Sequence, residues 1–227
     1  MRPGYLLDLP LTDYRRALAL QHRAAAGRRT GELERDLVVM LEHPPVFTLG
    51  RRGGLQNLLV PQEELVEKGI SIVPIERGGD ITYHGPGQLV VYPIIDLNAA
   101  GLAVVAFVGA LEEAMVRTAA HWDLQARGDA VHRGAWIGPR KLGSVGITVR
   151  RGVSFHGLAL NVATDLAPFA WINPCGIQAC AMTTLSRETG AAIPMPAVRR
   201  EMARHLSDLL DLELEEISPE RLATLLK

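Results

Sequence analysis

The stretch GAWIGPRKLGSVGITVRRGVSFHGLALNV, from Gly134 to Val162, decides the fold class. Its side chains alternate with a period of two, broken only at Gly138-Pro139-Arg140 and at Arg151-Gly152. That pattern predicts a meander of strands, Gly134 to Ile137, Lys141 to Arg150 and Val153 to Val162, because closely spaced turn residues join antiparallel neighbours without a crossover. With Arg151-Gly152 as a two-residue loop, Gly146 faces Gly157 and Ser144 faces Ala159, all on one sheet face. A face so poor in side-chain bulk suits a trough where a ligand chain or another backbone lies. A helix packed closely onto the glycines is the competing explanation.

Outward from the meander, Asp36 to Leu41, Val46 to Leu49, Ser71 to Ile75 and Gln88 to Ile95 read as further strands. Leu11, Tyr14 and Leu18 recur at helical spacing around Thr12, which predicts an opening helix capped by that threonine. Leu102 to Trp122 is a long alanine-rich helix, and Val198, Met202, Leu206 and Leu209 form one face of another behind Pro194 and Pro196. Ser218-Pro219 caps a last short helix. Strands arrive in hairpins and not as regular βαβ units, and no repeat or linker divides residues 1–227. The expectation is a single-domain α+β fold with a mixed, largely antiparallel sheet flanked by helices.

Composition narrows the function. The 227 residues are 48% hydrophobic and 22% charged, enough for a core that needs neither disulfide nor metal. Lysine plus arginine (24) balances aspartate plus glutamate (25), so no global field draws the chain to nucleic acid or membrane. Residues 1–30 lack a continuous apolar stretch, which gives no sign of a signal peptide or anchor and makes the cytoplasm the expected compartment. Between Arg127 and Arg151 there is a local basic excess of five, either a solvated hairpin edge or a docking surface for an acidic partner.

The candidate chemistry lies in two further segments. Arg77 to Gln88, RGGDITYHGPGQ, is too polar for a simple turn and fits neither a Walker loop nor the dinucleotide fingerprint, so ATP and NAD are disfavoured. Cys175 sits between Pro174, which fixes the backbone, and Gly176, which lets a main-chain N–H face a reacting carbonyl. Cys180, among small apolar neighbours, is left to packing. A thiol of ordinary pKa, about 8.5, needs a positive neighbour or a base to become a nucleophile. His84, His156 and Lys141 are the candidates. The histidines are scattered and no CxxC or HExxH occurs, so neither a metal nor a cofactor is expected.

These residues together resemble the lipoyl(octanoyl) transferases, which move an octanoyl group from acyl carrier protein to a lysine of lipoyl domains. Three blocks carry the resemblance: Arg77-Gly78-Gly79 with Thr82 to Gln88 and Tyr92-Pro93; Lys141 to Gly146 with Ser154 to Asn161; and Asn173 to Gly176. His43-Pro44-Pro45 and Phe47 to Gly50 resemble the family's N-terminal part. The resemblance implies a fold like the biotin and lipoate protein ligase catalytic domains, with Cys175 taking the acyl group as a thioester and Lys141 activating the thiol. It also implies an acyl site lined by Arg77, Gly78, Gly79, Asp80, Ile81, Thr82, Tyr83 and His84, by Ser144, Val145 and Gly146, and by Gly157, Leu158 and Ala159. The implied partners are octanoyl-acyl carrier protein and the lipoyl domains of 2-oxoacid dehydrogenase complexes and of the glycine cleavage protein. An ATP-dependent ligase of the same fold, a non-catalytic carrier-binding module and a cysteine hydrolase are the alternatives.

Overall fold

The computed structural model describes residues 1–174 and 180–226. The chain runs β1 (Arg2–Leu11), α1 (Tyr14–Thr30), β2 (Asp36–Glu42), β3 (Val46–Leu49), α2 (Gln62–Glu67), β4 (Ser71–Pro74), β5 (Ile81–His84) and β6 (Gln88–Ile94). It continues through α3 (Val104–Ala120), β7 (Arg127–Gly128), β8 (Gly134–Ile137), β9 (Arg140–Arg150) and β10 (Val153–Asn161). Last come α4 (Leu185–Thr189), α5 (Met195–Leu210), β11 (Leu212–Glu216) and α6 (Pro219–Leu225). Eight strands form one sheet in the order β11-β1-β2-β6-β10-β9-β8-β7, and β4-β3-β5 form a smaller one. In the large sheet only β1 with its neighbours β11 and β2 pairs in parallel; every other pairing is antiparallel. This is the mixed, largely antiparallel architecture the hairpin pattern predicts.

Helices cover both faces of the large sheet, which explains why β2 is an unbroken apolar run. Leu37, Val39 and Leu41 pack with Ala17, Ala24 and Ala25 of α1, while Val38 and Met40 face Phe107, Met115, Met202 and Leu206 of α3 and α5. Each such side chain contributes about 1.5–3 kcal/mol by leaving water, so neither face of β2 tolerates a polar group. Phe47, Ile81, Tyr83, Phe169 and Ile172 form a separate core under the small sheet.

The meander follows its expected register. Arg151 and Gly152 both take positive φ, 52° and 86°, as a two-residue hairpin loop requires. Gly146 pairs with Gly157 and Ser144 with Ala159. Arg140 belongs to β9 and not to the preceding turn.

Elsewhere the structure corrects the sequence reading. The chain opens with a strand, not a helix: Pro3, Gly4 and Pro10 mask β1, whose place is secured by pairing on both edges with β2 and β11. Asp13, not Thr12, caps α1, its carboxylate accepting from the Arg16 N–H at 3.0 Å. Ser218 does cap α6, accepting from the Arg221 N–H at 3.2 Å.

Candidate active site

β9 and β10 supply the floor of a trough. Ser144, Val145 and Gly146 line it from one strand and Gly157, Leu158 and Ala159 from the other. Gly78 and Gly79 form a rim, because β8 ends before Ile147 and leaves that carbonyl to accept from the Gly78 N–H at 2.9 Å. Arg77 is clamped beside them. Its Nη2 donates to the Thr48 carbonyl and to Thr48 Oγ1, both at 2.8 Å, which fixes the guanidinium of a residue only 7% exposed.

The strand period sorts the remaining loop residues. In β5, Thr82 and His84 line the trough, whereas Ile81 and Tyr83 point into the small-sheet core with Phe47 and Phe169. Burial there pushes the Tyr83 hydroxyl up to about 12. Asp80 accepts from the Ile81 N–H and from Asn57 Nδ2, both at 2.6 Å, and so braces the loop.

The two facing glycines serve close backbone approach. A Cβ on Gly146 would lie 3.1 Å from Arg77 Cδ and 3.2 Å from the Gly78 carbonyl oxygen. On Gly157 it would lie 2.0 Å from the Val91 carbonyl oxygen and 2.7 Å from Pro93 Cδ, so no larger residue fits between β10 and β6. Of the two occupants considered for the bare face, a neighbouring backbone is therefore present, and the trough opens beside it.

Lys141 lies across the rim. It is 1% exposed, with Nζ 5.1 Å from the centre of the Trp136 ring, a cation–π contact that suits a desolvated ammonium. Its main chain is held by the segment that follows Cys180: the Lys141 N–H donates to the Ala181 carbonyl at 2.8 Å, and the Thr183 N–H donates to the Lys141 carbonyl at 2.9 Å. A depression lined by Lys141, Asp80, Arg52, His132 and Arg133 shares Gly78, Gly79, Val145 and Gly146 with the trough. Of the residues named from the sequence, Gly78, Gly79, Val145 and Gly146 thus border both the trough and the depression with Lys141, while Ile81 and Tyr83 do not line either. Cys175 lies outside the described residues. Cys180 is half-buried against Met182, Sγ to Sδ 3.9 Å, in keeping with packing.

Behind the trough stands a set of buried polar aromatics. His43 Nδ1 donates to the Thr12 carbonyl and Nε2 accepts from the Tyr92 hydroxyl, each at 2.7 Å. Burial holds this imidazole down to about 4. His84 Nδ1 donates to Gln88 Oε1 at 2.7 Å, and burial lowers it to about 3. His156 is likewise lowered by burial, and Tyr14 and Tyr92 are raised by it. All three imidazoles are neutral near pH 7, and neither His84 nor His156 lines the depression with Lys141. Sequence reasoning missed Tyr14 as a lining residue. It is visible only as one apolar repeat of α1, and its place in the trough depends on how that helix crosses the sheet.

Three of the six basic residues between Arg127 and Arg151 are in ion pairs among the described residues. Arg140 pairs with Glu188 at 2.7 Å, Arg133 with Glu112 at 2.8 Å and Arg127 with Asp129 at 3.8 Å.

Comparison with known proteins sets this geometry in a family. Residues 13–207 match the lipoyl protein ligase A/B catalytic domain. An octanoyltransferase of Desulfotalea psychrophila is 47% identical over 91% of this chain and 93% of its own length. One of Geobacter metallireducens is 45% identical over 91% of this chain and 93% of its own length. Among solved structures, a bipartite lipoate protein ligase of Thermoplasma acidophilum is 18% identical with a TM-score of 0.76, covering 100% of this chain and 91% of that one. The biotin protein ligase of Aquifex aeolicus shares the fold at a TM-score of 0.51, covering 93% of this chain and 69% of that one. With the trough, the clamped arginine and the buried lysine in place, the chain belongs to the lipoyl protein ligase A/B catalytic domain family.

Proposed function

We propose that the protein is an octanoyltransferase that moves an octanoyl group from acyl carrier protein to a lysine of lipoyl domains through a thioester on Cys175. The observation that carries this reading is Lys141, a buried lysine at the lining of a depression that shares its wall with the glycine-lined trough. An ammonium kept out of water at that point favours a nearby thiolate, by about 1.4 kcal/mol for each unit of thiol pKa it lowers. The match to octanoyltransferases over nine-tenths of the chain supports the same activity.

The chemistry takes two steps. The Cys175 thiolate attacks the carbonyl of the carrier-bound thioester, the carbon–sulfur bond to the carrier breaks, and the carrier sulfur leaves as a thiol with the proton of the Lys141 ammonium, which becomes a neutral amine. The N–H beside Gly176 serves the oxyanion. A lysine amine of the acceptor then attacks the acyl-enzyme, an amide forms, and the Cys175 sulfur departs while Lys141 or a histidine takes the amine proton. Both substrates arrive on carrier domains, so residues 1–227 act as one catalytic domain in the cytoplasm, with acyl carrier protein and the lipoyl domains of 2-oxoacid dehydrogenases and of the glycine cleavage protein as partners. No helix among the described residues is long and apolar enough to cross a membrane.

Intact-protein mass spectrometry after mixing with octanoyl-acyl carrier protein tests the reading. An octanoyl adduct on Cys175 is expected, formed without ATP. An adduct that survives Cys175→Ala, or one that requires ATP, defeats it.

A further inference from the structure

Tyr14, His84, Tyr92 and His156 line the trough, and none of them lines the depression that holds Lys141. Of these, His156 lies opposite Ile147, six residues along β9 from the lysine. Lys141 and Ile147, the residue opposite His156, are separated along β9 by about 20 Å at ordinary strand rise. A lysine side chain, a thioester and a medium-length acyl chain together fill such a span.

His156 differs from its neighbours. His84 donates to Gln88 and Tyr92 donates to His43. His156 is 1% exposed, and neither of its ring nitrogens has a hydrogen-bond partner among the described residues. Glu76 stands 3.8 Å from Nε2, beyond hydrogen-bond range, and its other carboxylate oxygen is engaged by His22 at 2.7 Å. The main chain at His156 is nonetheless held in place. The His156 N–H donates to Gln21 Oε1 at 2.8 Å, which secures a φ of 59° at that residue. A buried imidazole that lines a cavity from an anchored main chain and is unsatisfied at both nitrogens is a hydrogen-bonding group available to what the cavity receives.

We propose that His156 sets the upper limit of the acyl chain: a saturated chain that stops short of the imidazole is accepted, and one that reaches it is refused unless its end can hydrogen-bond. The proposal rests on the trough being the acyl site. Its reason is the asymmetry of polar burial, in which covering an unpaired nitrogen with alkyl costs far more than pairing it with a hydroxyl. The ligand class that suits the site is a medium-chain acyl group, with chains one or two carbons longer admitted only when they end in a hydroxyl.

Competition between N-acetylcysteamine thioesters tests this, with the mass of the acyl adduct on Cys175 as readout. Octanoyl thioester serves as reference, and 10-hydroxydecanoyl is set against undecanoyl, which has the same number of chain heavy atoms. In the unaltered protein the hydroxylated chain is expected to load about tenfold faster than its alkyl match. In His156→Phe, close in size but without ring nitrogens, that preference should fall towards one, with the fold checked by circular dichroism. The comparison in the unaltered protein needs no variant, so it decides even where His156→Phe fails to fold. Equal loading of the matched pair, or a preference unchanged in His156→Phe, overturns the proposal while leaving octanoyl transfer intact. Failure of octanoyl itself to load on Cys175 overturns the acyl-enzyme reading and this inference with it.

Discussion

Lys141 and Met182 are partners in an isolated parallel bridge, so the main chain beside the buried ammonium is fixed by the segment that follows the candidate nucleophile in sequence. The position of the lysine thereby depends on the hydrogen bonds that Ala181 and Thr183 make with its main chain. Gly134, at φ 143°, makes this possible: a Cβ there would lie 3.0 Å from Lys141 Cε and 2.2 Å from the Gly143 carbonyl oxygen.

Removing the ammonium should raise the pH at which Cys175 reacts. Lys141→Met keeps the stem and deletes the charge, and acyl transfer should drop by about 10²-fold or more. Alkylation of Cys175 with iodoacetamide, followed by mass spectrometry from pH 6 to pH 10, gives the titration directly. A curve that overlays the parent's removes Lys141 from thiol activation.

The facing glycines should separate stability from activity. Gly157→Ala drives a methyl into the Val91 carbonyl and should lower stability by about 1–3 kcal/mol or prevent folding. Gly146→Ala meets Arg77 Cδ at 3.1 Å and the Gly78 carbonyl oxygen at 3.2 Å, a milder crowding that should still fold, with its loss appearing as slower octanoyl loading. Urea melts of the two variants beside their loading rates check the contrast. Equal destabilisation would mean that Gly146 is as closely packed as Gly157.

Acid should weaken the fold through the neutral imidazoles. His43 and His84 are held down to about 4 and about 3 by burial, whereas an unfolded histidine titrates at about 6.5. As pH falls below about 6.5 the unfolded chain takes up protons that the folded chain refuses, so unfolding becomes easier by up to about 1.4 kcal/mol per pH unit per histidine, down to the folded values. Stability is therefore retained above pH 6.5 and lost progressively towards pH 4. Urea midpoints at pH 7.5, 6 and 5 measure the slope, and His43→Gln should reduce it. A flat profile would show that these rings are protonated in the fold.

Glu188 should matter to catalysis from a distance. It receives Arg140 Nε at 2.7 Å and Arg140 Nη2 at 2.8 Å while also accepting from Thr183 Oγ1 at 2.5 Å, tying the start of β9 to the segment on Lys141. The Arg140 guanidinium holds its carboxyl below the usual carboxylate range. Glu188→Ala should lower octanoyl loading several-fold with little change in the melting midpoint, since the pair is partly exposed. Loading equal to the parent's would mean that the backbone bonds alone hold the segment.

What could be read from the chain alone follows the range of the forces involved. The β9–β10 register was legible because a two-residue loop and a period of two determine each other locally, and the glycine pairing followed. The capping of α6 by Ser218 is equally local. β1 and β11 were not legible: one carries prolines and is held between β2 and β11, and the other is the acidic LELEE, a strand because β1 lies beside it across the sequence. Within the site, Arg77 and Lys141 stand out by type in glycine-rich surroundings. Gln21 does not, since its bond to the His156 N–H depends on where α1 crosses β10.

The pairing of β11 with β1 also has a consequence for synthesis. Strand β1 is synthesised long before β11, and among the described residues its outer edge is covered by residues 212–216, so throughout that interval it presents open N–H and C=O groups. Nascent chains halted before Leu212 should therefore associate edge to edge, and the emergence of β11 closes that hazard.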